Sequence, residues 1–173
     1  MEEQRAPSIA KIATKYGLIQ GVLSFAVFLV VTLTGIKQNW ASVVNIAVLI
    51  VLMVLAHREF RKTHDGMMTY PQGLGSGTLL SIVGAVATSV LLYVYVKYIN
   101  TGYLAASIKA QQAALEQRGI AGAQAEQAMA MTAAIMTPVG IVVTSLITGV
   151  IAGFIVALIV SIFTHKGDPR AVI

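Results

Sequence analysis

Few residues in this chain have types and spacings suited to chemistry. His57 and His64 stand seven apart beside Asp65, so two helical turns would bring both imidazoles near a carboxylate. Zinc wants three or four ligands in close geometry, and the intervening sequence supplies only Glu59. Both histidines are therefore read as solvated loop residues. Met129, Met131 and Met136 offer thioethers of the kind that take up Cu(I), but the same spacing serves the apolar stripe of a helix. Gly73, Gly75 and Gly77 in QGLGSGT imitate a phosphate loop, yet no strand precedes them and no lysine follows. No catalytic residue, no metal site and no cofactor is expected.

The elements around these residues explain why so little chemistry is on offer. The chain is 57% hydrophobic and only 11% charged, with mean hydropathy +0.79. Soluble domains carry roughly 25% charged residues, so this chain lacks the polar surface to face water on all sides. A membrane-crossing helix needs about 20 residues free of charge. Four segments qualify, at about 16–36, 41–56, 74–96 and 139–163, and every Lys, Arg, Asp and Glu lies outside them. The expected fold is all-α: an integral membrane four-helix bundle, a single domain over 1–173, with an extramembrane helical hairpin at about 100–136 between the third and fourth spans. The first span is expected to stay uncleaved, because it is longer than a signal h-region and lacks a small-x-small cleavage site.

Charge sets the expected orientation. Arg5, Lys11 and Lys15 precede the first span, Arg58, Arg61 and Lys62 follow the second, and Lys166 and Arg170 follow the fourth. The other side has only Lys37 in a short turn with Asn39, then Lys97, Lys109 and Arg118 spread along the third loop. The positive-inside rule puts both termini in the cytoplasm and the third loop outside. Trp40, Tyr93, Tyr95 and Tyr98 mark the outer headgroup level, Tyr16 and Tyr70 the inner one. The net charge of +5 is scattered over span ends, where it serves topology and anionic headgroups; no nucleic acid is expected. With no cysteine, disulfides, thiolate metal sites, a cysteine nucleophile and palmitoylation are excluded.

In the third loop, Ala105 to Arg118 is built from strong helix formers, with Gly119 as a stop and Leu104, Ile108 and Leu115 on one face. A second helix-prone stretch, Gln124 to Met136, leads to Thr137-Pro138, a cap and first turn for the fourth span. The cytoplasmic stretch His57 to Gln72 predicts a short extension of the second helix and a turn at Asp65-Gly66.

Packing chemistry is the clearest signal. The third span carries a small residue every fourth position, Gly73, Gly77, Ser81, Ala85 and Ser89, and the fourth repeats this with Ser145, Gly149, Gly153, Ala157 and Ser161. The first opens with Gly17 and Gly21. Lipid tails give little drive for helices to associate, so such stripes mark close backbone approach, here within one chain or between two. Gln20 and Asn45 are the most polar side chains inside the spans and are expected to join the first two helices. No acid, base or nucleophile–base pair is expected at membrane depth, which argues against ion-coupled transport and hydrolysis.

Taken together, Lys15-Tyr16-Gly17-Leu18-Ile19-Gln20-Gly21, Thr69-Tyr70-Pro71-Gln72-Gly73, the run from Tyr93 to Asn100, and Gly149-Val150-Ile151-Ala152-Gly153 with Ala157-Leu158-Ile159 resemble the domain-of-unknown-function 4199 family. These motifs spread from about Lys11 to Lys166. The resemblance implies a small four-helix protein of the bacterial inner membrane, typical of Bacteroidota, and carries over no catalytic residue. The expected function is a non-enzymatic structural or accessory membrane subunit; the alternative is a small oligomeric transporter or channel lined by Gln20, Asn45, Ser and Thr. Expected partners are the lipid bilayer and a homo-oligomer or larger membrane complex.

Overall fold

The structure, a computed structural model, describes residues 8–35 and 38–166, with the backbone alone for 38 and 39. Arg5, Lys37, Arg170 and the side chain of Asn39 lie outside the described residues. The described chain is all helical: α1 (Ile9–Thr34), α2 (Gln38–Lys62), α3 (Tyr70–Val94), one π-helical turn (Tyr95–Ile99), α4 (Tyr103–Gln117), α5 (Ala123–Ile135) and α6 (Pro138–Thr164). α1, α2, α3 with its π turn, and α6 are each long and apolar enough to cross a bilayer, so this is a multi-pass membrane protein.

Local sequence sets the helix ends. Ser8 caps α1 through its hydroxyl, which accepts from the Lys11 amide. At α3, Thr69 Oγ1 accepts from the Gln72 amide and Gln72 Oε1 accepts from the Thr69 amide, a reciprocal capping box. Thr137 Oγ1 accepts from the Gly140 amide (2.9 Å), with Pro138 as the first residue of α6. Between α2 and α3 the chain turns through Asp65 (φ 51°) and Gly66 (φ 78°), a left-handed pair that glycine and aspartate tolerate best.

The contacts divide the chain into two compact units, Met1–Thr88 with Ile147–Ile173, and Ser89–Leu146. In the first unit, Ile12, Met53, Phe60, Met68, Leu80 and Val160 are fully or almost fully buried and form the centre of the core. An antiparallel bridge closes one end: the Met68 amide donates to Lys166 O (3.0 Å) and the Lys166 amide to Met68 O (2.8 Å). Elsewhere long apolar side chains are open, among them Val22, Val43, Ile147 and Ile159. In water such surface would drive aggregation; in a bilayer it faces the lipid that serves as its solvent.

In the second unit, α4 and α5 form the helical hairpin. They are joined by a turn with Gly119 (φ +69°) and Gly122 (φ +64°). Leu115 is buried, and a cleft of about 460 Å³ between the two helices is lined by Leu115, Glu116, Ile120, Glu126 and Met129, among others.

Candidate functional site

The expected short extension of the second helix is present, but His57 within it is buried rather than solvated. α2 runs on through Lys62, because His57 to Lys62 contains good helix formers and Glu59 is tied back to α1. Lys15 Nζ lies 2.8 Å from Glu59 Oε2, and the Tyr16 hydroxyl donates to the same oxygen at 2.7 Å. Continued as helix, His57 falls on the face that already carries Met53, Ala56 and Phe60, and its side chain is wholly buried.

Both imidazole nitrogens are engaged. Nε2 stands 3.0 Å from the carbonyl oxygen of Gly73 on α3, and Nδ1 stands 2.7 Å from Thr164 Oγ1 on α6. A carbonyl only accepts, so Nε2 carries the hydrogen. In the neutral ring Nδ1 then accepts from the Thr164 hydroxyl, which also lies 2.8 Å from Val160 O. One hydroxyl proton thus has two acceptors, and one side chain joins three helices.

This arrangement brings together a hydroxyl and an imidazole that both lie just beyond the charge-free segments 41–56 and 139–163. Thr164 and His57 have the spacing of a nucleophile and its base. Their exposure decides what the pair does: His57 is 0% and Thr164 8% exposed, so a substrate does not reach them in this conformation. The pair works as a helix tie.

His64 turns elsewhere. Its Nδ1 lies 3.0 Å from Phe60 O and 3.0 Å from Thr63 Oγ1, and its ring stacks on Phe60 with centroids 4.0 Å apart. With Glu59 held by Lys15 and Tyr16, the two histidines and this carboxylate do not converge. Among the described residues no group of three or more His, Cys, Asp or Glu is placed to hold a metal. Met129 lines the α4–α5 cleft and Met131 is exposed. Two residues apart on a helix, their thioethers point about 200° apart.

The two small-residue stripes face each other within one chain. A Cβ added at Gly73 would stand 3.1 Å from Ser161 Oγ. One at Gly77 would stand 2.9 Å from Ala157 Cβ, and one at Gly149 3.0 Å from Ala85 Cβ. At Gly153 it would run into the Ser81 side chain. In the second unit, Ser89 Oγ and Ser145 Oγ are hydrogen-bonded at 2.7 Å. Each step of four forward along α3 is a step of four back along α6. Wherever one of the first four rungs has glycine, the other side has serine or alanine, so the volumes interlock. Gly73 and Gly77 therefore serve packing, while Gly75 has open space where a side chain would be.

A different seam joins α1 to α3. Gly17 sits against Leu80 O and Val83, and Gly21 against Ala87 and Gly84 O. Thr88 Oγ1 donates to Gly21 O (3.2 Å) as well as to Gly84 O in its own helix. Gln20 and Asn45 do not join α1 to α2 as expected. Gln20 lays its carboxamide against Gly84 of α3 and donates to Ser24 Oγ (2.9 Å). Asn45 donates to Ala41 O (3.0 Å) within α2. The reason is register: Gly84 of α3 stands opposite Gln20, and a side chain there would occupy the space of the Gln20 head.

The π turn at Tyr95–Ile99 has no marker in the sequence. Within it Lys97 Nζ donates to the Tyr93 hydroxyl (2.8 Å) and lies over the Tyr93 and Tyr98 rings, 5.2 and 5.5 Å from their centroids.

A family model described as "Protein of unknown function (DUF4199)" matches residues 15–166. No curated protein and no solved structure matches the chain. The chain belongs to the DUF4199 family.

Proposed function

We propose that this family member is a non-enzymatic structural or accessory subunit of the bacterial inner membrane, acting through helix packing and its α4–α5 hairpin. The observation that carries the reading is how the reactive groups are spent. His57, Thr164 and Glu59 bond inward and tie helices, whereas the hairpin cleft is open and mixes apolar Leu115, Ile120 and Met129 with Glu116 and Glu126. An apolar floor with a charged rim suits a protein partner. In this reading both termini are cytoplasmic and the hairpin lies outside, as the distribution of Lys and Arg supports.

Because the chain has no cysteine, single cysteines report topology cleanly. Ala113→Cys on α4 is expected to react with an impermeant maleimide in intact cells, and Thr63→Cys only after permeabilisation; the reverse pattern overturns the orientation. For the subunit role, photo-crosslinkers placed along α4 and α5 in native membranes are expected to trap one defined membrane protein or a second copy. A protein that stays monomeric in mild detergent and gives no adduct at any hairpin position refutes it.

A second reading, an oligomeric transporter or channel, rests on buried polar atoms without a partner among the described residues: Gln20 Oε1, Asn45 Oδ1, Ser76 Oγ, Thr78 Oγ1 and Ser161 Oγ. Flux of no tested solute through liposomes containing the protein removes it.

A further inference from the structure

One end of the first unit gathers more positive charge than its packing uses. Lys15 is neutralised by Glu59, and Glu59 is occupied again by Tyr16. What remains is Arg58, Arg61 and Lys62 on the last turns of α2, Lys11 at the start of α1 and Lys166 after α6. None of these has an ion-pair partner among the described residues. Asp65, on the exposed turn, is the other carboxylate of the α2–α3 connection.

The placement is ordered. Arg58, Arg61 and Lys62 follow an i, i+3, i+4 pattern, so they share one face of α2, while Glu59 points to α1. The turn after α2 is fixed by bonds from the His64 and Gly66 amides to Arg61 O. The two-bond Met68–Lys166 bridge then holds Lys166 to the same connection. Met67, next to that bridge, is exposed. A cationic face with an apolar side chain at the end of four membrane helices lies where lipid phosphates lie. Guanidinium groups match phosphate oxygens in a fixed fork, and lysines add point charge.

We propose that Arg58, Arg61, Lys62 and Lys166 form a binding surface for the headgroup phosphate of an anionic phospholipid. The surface is complementary to the lipid in charge: four cationic side chains stand beside Glu59, which Lys15 and Tyr16 already engage, and Asp65 on the exposed turn. The neighbouring apolar helix surface receives the acyl chains. In the second unit Lys97, by contrast, is occupied by Tyr93 and Tyr98.

Native mass spectrometry of the full chain in mild detergent tests this, with phosphatidylglycerol and phosphatidylcholine of identical acyl chains titrated in turn. Phosphatidylglycerol is expected to bind about tenfold more tightly or better, with the preference shrinking as salt rises. The R58Q/R61Q/K62Q variant is expected to lose the preference, whereas K97Q/K109Q keeps it. Equal retention of the two lipids, or a preference that salt does not change, overturns the proposal using the unmodified protein alone. So does a K97Q/K109Q variant that abolishes the preference, or a folded triple variant that keeps it. Millimolar inorganic phosphate is expected not to displace the lipid; full displacement would mean the surface takes free phosphate and refutes a lipid site.

Discussion

Toward α6, α3 presents Gly73, Gly77, Ser81 and Ala85; toward α1 it presents Leu80, Val83, Gly84 and Thr88. The first face is a ladder of matched volumes, glycine opposite serine or alanine, in which backbone approach itself is the interaction. The second is a crossing where Gly17 and Gly21 let the backbones close, Thr88 donates across the seam and Gln20 fits over Gly84. Small residues thus take part in two kinds of contact on one helix. A volume ladder has no spare room at any rung, so it tolerates insertion poorly. A polar crossing depends on single groups that already hold bonds within their own helices, so deleting one costs less. His57 differs from both: it closes the end of the α6 side with hydrogen bonds to Gly73 and Thr164.

That contrast can be broken experimentally, most severely at the ladder. Gly153→Leu drives a branched side chain into Ser81 and is expected to destabilise the protein by about 3 kcal/mol or more, read as loss of the folded species in detergent unfolding. His57→Leu leaves the Thr164 hydroxyl without its ring partner in a dry site and is expected to cost about 2 kcal/mol, with His57→Gln recovering part of it. Gly77→Ala is expected to cost about 1–2 kcal/mol, and Ala157→Gly in the same chain to return about 1 kcal/mol. Strictly additive losses in that double-mutant cycle would show that the rungs do not act as pairs. On the α1 side, Gln20→Leu is expected to change stability by only about 0.6 kcal/mol, since it removes one bond to Ser24 in its own helix. A larger loss for Gln20→Leu than for Gly77→Ala would reverse the ranking of the two faces. Smallest of all, Lys15→Gln breaks an exposed ion pair and is expected to leave the unfolding midpoint nearly unchanged at physiological salt.

Part of the architecture was legible without coordinates because it depends on local composition. Hydrocarbon excludes charge, so four charge-free segments name four helices, and capping residues such as Thr69 with Gln72 and Thr137 with Pro138 mark where two of them begin. The turn at Asp65-Gly66 and the hairpin stop at Gly119 follow from backbone freedom at those positions. The four-residue spacing of small side chains announced close packing on α3, α6 and the start of α1.

The pairing of those faces was decided by tertiary structure. Spacing along one helix carries no information about register on another, so the match of Gly77 to Ala157, or of Gln20 to Gly84, appears only when the helices meet. His57 shows the same boundary from the other side. Its charged neighbours Arg58, Glu59, Arg61 and Lys62 place it outside the apolar window, and by composition it belongs to water. Burial is a property of what packs against a residue, and here α3 and α6 bring a carbonyl and a hydroxyl to its two nitrogens. The sequence by itself determined that this chain crosses a membrane four times and which faces are smooth enough to touch. Tertiary structure decided which faces touch and turned His57 into the tie between them, because hydrogen bonds and volume fit depend on atoms distant in sequence and adjacent in space.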